Sequence, residues 1–246
     1  MVHVLKPAGD LRPLGSRRKV SWPRLLLLLV LVALLIGLPL WWYLNRDDPD
    51  SLDHAALVGQ RGPGCARIII ASDESGSMEK FVQPRNHALA QLLSWAPNNL
   101  RDDDELEAVV FSGDTFVAMP PTEIRKGPVL GRTPPPVDGT TLVPLLNTIQ
   151  RMPPSHCAQS LILLSDGIFQ DLPAGADAAR RQLKDAGIGN LFLLVPGKKI
   201  KFEPSWQGLY PYAAPVIFDG LNSDKTGLAI GHALASITGQ QLKERK

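Results

Sequence analysis

Asp73, Ser75 and Ser77 occupy alternate positions of the run Asp73-Glu74-Ser75-Gly76-Ser77, directly after the apolar stretch Ile68-Ile69-Ile70-Ala71. A carboxylate and two hydroxyls at that spacing are hard oxygen donors, the ligand type that Mg2+ takes in preference to nitrogen or sulfur. Gly76 permits a tight turn between the two serines. A second apolar run, Ser160 to Leu164, ends in Ser165-Asp166-Gly167 and so delivers another carboxylate where a strand breaks at glycine. Between the two runs lies Asp138-Gly139-Thr140-Thr141, followed by a helical pattern from Leu142 to Met152. One Ser- and Asp-rich loop is simply a turn closed by side-chain to backbone hydrogen bonds. Three oxygen-bearing segments in order argue for a cation.

Together these segments resemble the metal-ion-dependent adhesion site of the von Willebrand factor type A family, whose pattern is Asp-x-Ser-x-Ser, a Thr after a glycine turn, and an Asp ending the fourth strand. The resemblance covers residues 66–240 and implies Asp73, Ser75, Ser77, Thr140 and Asp166 as ligands of Mg2+, with Mn2+ or Ca2+ as alternative occupants. Thr141 stays open as the threonine ligand. Thr140 is preferred because it follows Gly139 directly and leaves Leu142, Leu145 and Leu146 to fill apolar helix positions. Gly131-Arg132-Thr133 is a poorer choice, since no helix starts through Pro134-Pro135-Pro136. In the family, serines and threonine contact the ion and a partner supplies a further oxygen, often a carboxylate. The resemblance therefore implies a binding module for a protein with an acidic residue, of the cell-adhesion type, and not an enzyme.

The elements that must position these residues alternate along the chain. After the first strand come a helical stretch from Pro84 to Trp95, a strand Leu106 to Phe111, an antiparallel edge strand Thr115 to Met119, and the helix beginning at Leu142. Then follow the strand before Asp166, a helix Pro173 to Ala186, a strand Leu191 to Val195, a short strand Val216 to Phe218 and a helix from Ser223 or Asp224 to Ile237. Such alternation implies an α/β domain with a mostly parallel sheet and helices on both faces. The resemblance specifies it as Rossmann-like and doubly wound, six-stranded in the order 3-2-1-4-5-6. Asp73 and Asp166 then end the first and fourth strands, at the switch point where such sheets bind ligands. The segment Gly197 to Pro215, with Lys198, Lys199, Trp206, Tyr210 and Tyr212, reads as an elaborated loop, either a partner-binding rim or aromatics covering a sheet end.

Residues 25–44 carry no charge, and at about 1.5 Å per residue a helix there spans roughly 30 Å, the thickness of a bilayer's hydrocarbon core. They read as a transmembrane helix with Trp41-Trp42-Tyr43 as an interfacial belt. No small-x-small site follows, which argues against a cleaved signal peptide. Six basic residues from Lys6 to Arg24 stand against Asp10 on one side, and Asp47, Asp48, Asp50 and Asp53 follow Arg46 on the other. The positive-inside bias leaves the N-terminus in the cytoplasm and the rest outside. The expected organisation is a basic tail at 1–24, the membrane helix at 25–44, a linker at 45–64 and the von Willebrand factor A-like domain at 65–246. The net charge of +2 is no nucleic-acid footprint.

There are two cysteines. With the family's strand order, Cys65 and Cys157 fall together at the sheet end opposite the metal, where they form a disulfide suited to an oxidising exterior or stay as two buried thiols. His156 beside Cys157 does not complete a tetrahedral zinc set. Two other functions remain open: a metal-assisted hydrolase using Asp73 or a metal-bound water, and an assembly factor working with an ATPase. A hydrolase needs a positioned acid or base, and none of the five histidines falls beside the oxygen-bearing segments.

Overall fold

The computed structural model describes residues 22, 26–27, 29–32, 35–37, 48–132, 137–197 and 205–245. The chain divides into two units, Met1–Arg46 and Asp47–Lys246. In the first, the described residues are helical, and Leu26, Leu27, Leu29, Val30, Leu31, Val32, Leu35 and Ile36 are exposed. Among the described residues no helix is long and apolar enough to cross a membrane. Much of the expected membrane helix at 25–44, including its aromatic belt, and nearly all of the basic tail lie outside them.

The second unit is built on a six-stranded sheet. Its chain order is β1 (Ala55–Val58), β2 (Ala66–Asp73), α1 (Val82–Trp95), β3 (Glu105–Phe111), β4 (Thr115–Glu123), α2 (Leu142–Gln150) and β5 (Ala158–Leu164). Then come α3 (Ala176–Asp185), β6 (Ile188–Pro196), α4 (Ser205–Leu209), β7 (Val216–Phe218), α5 (Ser223–Thr238) and β8 (Gln241–Glu244). The main sheet runs β4-β3-β2-β5-β6-β7, with only β4 antiparallel to its neighbour. Counted from the strand at Ala66 this is 3-2-1-4-5-6. Counted from the start of the unit every strand moves up by one, because β1 precedes the sheet and pairs with β8 in a separate antiparallel ribbon that sequence patterning did not foresee.

Every residue of β2 is buried, as befits a central strand covered on both faces. Ile68 and Ile70 face Leu89, Leu92 and Trp95 of α1 and Leu234 of α5, while Ile69 and Ala71 face Leu142, Leu145 and Ile149 of α2. Burying such a side chain stabilises by about 1.5–3 kcal/mol, so the strand that ends at Asp73 is among the most firmly held parts of the molecule.

Residues 45–64, expected to be a linker, instead supply β1 and a wholly buried Leu52. Leu52 packs into α5 where Gly231 leaves room: a Cβ there would come within 2.9 Å of Leu52 Cδ1. The Trp95 indole donates to the Ala55 carbonyl at 2.8 Å and fastens β1 to α1. The loop from Gly197 to Pro215 contains α4, and Trp206 and Tyr210 are fully buried against Phe169 and α3, so these two aromatics cover the sheet; Tyr212 is exposed. Lys198 and Lys199 lie outside the described residues.

Candidate metal centre

β2 and β5 are parallel neighbours, Ser72 lying opposite Leu164, so the residues just beyond them emerge side by side. Asp73 is wholly buried. Its Oδ1 accepts from the Ser75 backbone N–H at 2.8 Å, which closes the turn, and its Oδ2 accepts from the Ser165 hydroxyl at 2.7 Å, which ties the loop to the end of β5. Burial pushes the Asp73 carboxyl above its ordinary range, partly countered by the hydrogen bonds from Ser165 and Ser75. The Ser75 and Ser77 hydroxyl oxygens are 3.2 Å apart, and Ser77 donates to Asp166 Oδ2 at 2.7 Å. Asp166 Oδ1 accepts from the Ile168 N–H at 3.0 Å, fixing the second carboxylate in turn.

Asp73, Ser75, Ser77 and Asp166 thus form one hydrogen-bonded group. Thr140 joins it indirectly: its carbonyl accepts from the Gln170 N–H at 2.9 Å, in the loop that follows Asp166. Gly139 turns the chain at φ +100°, a conformation that favours glycine. Asp171 accepts from the N–H groups of Leu142 and Val143 at 2.6 and 2.8 Å, capping α2 with a side chain from the β5 loop. The two threonines differ in what their hydroxyls do. Thr141 donates to the carbonyls of Ser112 and Gly113 at 3.0 and 3.2 Å, whereas the hydroxyl of Thr140, a buried residue, makes no hydrogen bond among the described residues.

The donor set suits a small hard cation. Adjacent ligands on an octahedron with bonds of 2.0–2.1 Å lie about 2.9 Å apart. Ser75, Ser77 and Asp166 already hold their oxygens at 3.2 and 2.7 Å. An open groove of about 560 Å³ adjoins the loop, between Glu74, Gly76 and Glu79 on one side and Val137 and Asp138 on the other.

Two features escaped the sequence. Glu74, whose position in the loop reads as a solvated side chain, is an ion-pair partner of Arg85 at 2.7 Å and largely buried. Glu107 on β3 is fully buried, and neither of its carboxylate oxygens has a partner among the described residues. Burial pushes it up to about 7, with the Arg67 charge pulling down and Glu105 pushing up. Nothing local in the sequence distinguishes Glu107 from Glu105, which pairs with Arg67.

At the opposite end of β2 and β5, Cys65 and Cys157 are joined in a disulfide, with Cα atoms 4.8 Å apart. The ring of His156 lies nearby, but both sulfurs are bonded to each other and leave no thiolate for a metal. By the chain-entropy model, closing so long a loop contributes about 4–5 kcal/mol.

No family model matches the sequence, and no curated protein matches it. Solved structures do. A von Willebrand factor type A protein from Catenulispora acidiphila superposes with a TM-score of 0.50 at 18% identity, over 80% of this chain and 52% of that one. This unit has the von Willebrand factor type A fold. The pilus adhesin SpaC from Lactobacillus rhamnosus GG matches with a TM-score of 0.52 at 13% identity, over 79% of this chain and 34% of the adhesin. Proximal thread matrix protein 1 from the mussel byssus, in a structure with a zinc-occupied MIDAS motif, matches with a TM-score of 0.51 at 15% identity, over 73% and 50%. The chain thus spans about half or less of these three proteins.

Proposed function

We propose that this chain is a membrane-tethered binding module that holds Mg2+ with Ser75, Ser77, Thr140, Asp73 and Asp166, and captures a partner protein outside the cytoplasm through an acidic residue on that ion. The observation that carries the reading is the convergence of the Ser75 and Ser77 hydroxyls, from the loop after β2, on Asp166 at the end of β5, with oxygens 3.2 and 2.7 Å apart. Asp73, with both oxygens engaged by Ser75 and Ser165, acts by fixing the loop and supplying charge. Mn2+ and Ca2+ are alternative occupants, and the zinc in the MIDAS motif of the mussel protein supports the motif's taking a divalent cation. When bound, the ion supplies an electrophilic position for a carboxylate.

Binding is favoured over hydrolysis because the side chains that hydrogen-bond within the loop are aspartates, serines and the ion-paired Arg85 and Glu74, with no histidine among them in the described residues. The tether is residues 25–44, supported by their lack of charge and by the exposed apolar side chains among the described residues there, such as Leu27, Leu29, Leu35 and Ile36. Flanking charges and the Cys65–Cys157 disulfide support an extracytoplasmic domain.

Thermal unfolding of the soluble domain tests the site. At a hundredfold excess of Mg2+ over its Kd, linkage contributes about 2.7 kcal/mol, a rise in Tm of roughly 5–10 °C for a domain of this size. Asp73→Ala is expected to abolish the rise. An equal rise in the variant would sink the assignment.

A further inference from the structure

The metal loop has a buried cation behind it. Arg85, on the first turn of α1, is 5% exposed. One guanidinium nitrogen donates to the Asp73 backbone carbonyl at 3.2 Å, and another donates to Glu74 Oε1 at 2.7 Å. Asp73 and Glu74 are consecutive residues of the ligand loop, so a single planar fork grips its backbone at one point and its side chain at the next.

Burying a guanidinium is costly unless its charge is paired and its donors are used. Here burial pushes Arg85 below its ordinary range and the Glu74 charge pulls it back up, which leaves it a cation. The loop gains a constraint that its own residues do not provide. Inside the loop, Asp73 Oδ1 holds the Ser75 N–H; toward β3, the Glu74 N–H donates to the Phe111 carbonyl at 2.9 Å; toward β5, Ser165 holds Asp73 Oδ2. The remaining side faces α1, and there Arg85 is what meets it.

We propose that Arg85 is a positioning residue for the metal centre: with Glu74 as its counter-ion it locks the Asp73 to Ser77 turn against α1 and thereby sets the affinity of the site for its divalent cation. This rests on the reading of the loop as a Mg2+ site. Arg85 touches no ligand oxygen, and its charge is balanced by Glu74, so its effect on the ion is exerted through the shape of the loop. Residues that orient metal ligands from behind typically change metal affinity 10–100-fold when altered. Lysine carries the charge but not the fork, and reaches one acceptor at a time.

The test uses the full chain in detergent: wild type, Asp73→Ala, Arg85→Lys, Glu74→Gln and the Arg85→Lys/Glu74→Gln double variant. Mg2+ titration calorimetry is run alongside metal-free unfolding. Glu74→Gln keeps size and a hydrogen-bond acceptor at the rim, so it reports on the lock should Arg85→Lys fold poorly. The expected result is Mg2+ affinity about tenfold weaker in Arg85→Lys and several-fold weaker in Glu74→Gln. The double variant is expected to bind no worse than Arg85→Lys alone, because the two residues act as one unit. Metal-free Tm is expected to fall as well, because each variant weakens a buried ion pair, and the affinity loss is read separately from it by the titration. If wild type responds to Mg2+ and Asp73→Ala does not, yet both lock variants bind Mg2+ as wild type does, the lock is refuted and the metal site stands. A lowered metal-free Tm with unchanged affinity refutes it equally, as a purely structural role. If wild type itself takes up no Mg2+, both the site and the lock fall.

Discussion

At the scale of single residues, Thr140 and Thr141 separate two jobs that adjacent hydroxyls of the same kind can do. Thr141 is occupied in joining α2 to the Ser112-Gly113 turn, while Thr140, a buried residue, makes no hydroxyl hydrogen bond among the described residues and under the proposed function is the one that meets the ion. Thr141→Val is therefore expected to lower metal-free stability by about 1 kcal/mol and leave Mg2+ affinity alone, and Thr140→Val to do the reverse. Denaturant unfolding and Mg2+ titration of the two variants check this; a larger loss of affinity in Thr141→Val would exchange their roles. The grouping of Asp73, Ser75 and Ser77 was legible because they stand in one short run, where the spacing itself puts their oxygens on one turn. The residues behind them were not. Ser165 on Asp73 and Arg85 on Glu74 are contacts between segments far apart in sequence, made only once β2, β5 and α1 have packed.

At the scale of elements, β3 carries a cost in its middle. Glu107 lies in the face covered by α2, opposite a bulge in β4 where the register shifts between Leu106 and Ala108. Burial holds its folded pKa at about 7, against an ordinary 4.5. The folded state therefore binds the proton more tightly than the unfolded chain does. Its stabilising effect is complete below about pH 4.5 and is lost as pH rises through 7, by an amount on the order of 3 kcal/mol. Glu107→Gln is expected to flatten the fall in unfolding free energy between pH 5 and pH 8 and to exceed wild type in stability at pH 8. Parallel pH profiles in denaturant would contradict this. The long apolar runs of β2, β5 and β6 were readable as buried strands, and the three-residue β7 was found at Val216–Phe218. The β1–β8 ribbon was not, because its strands are four residues each and are held by partners remote in sequence: Leu52 on α5 and Trp95 on the Ala55 carbonyl.

At the scale of the whole molecule, the two ends of one strand pair do different work: the Cys65–Cys157 bond closes the β2 and β5 starts, and the oxygen-bearing loops open from their ends. The oxygen-bearing loops are thus carried on a pair of strands fixed at the far end by a covalent bond and along their length by two layers of helices. That rigidity suits the proposed site, which would have to hold its oxygens ready for a small, exacting ion. The order of the oxygen-bearing segments revealed this arrangement in advance, since a parallel sheet brings strand ends together whatever lies between them in sequence. The groove beside the loop and the exposed rim at Val137 and Ile168 did not announce themselves, because exposure there depends on which elements fail to cover them. The account's central claim is that Mg2+ in this loop is the contact to a partner. Its most direct test is capture from solubilised membranes by the tagged full chain in Mg2+, in EDTA, and with Asp73→Ala in Mg2+. A partner retained in the first and lost in the other two is the predicted result, and a partner retained equally in all three would contradict it.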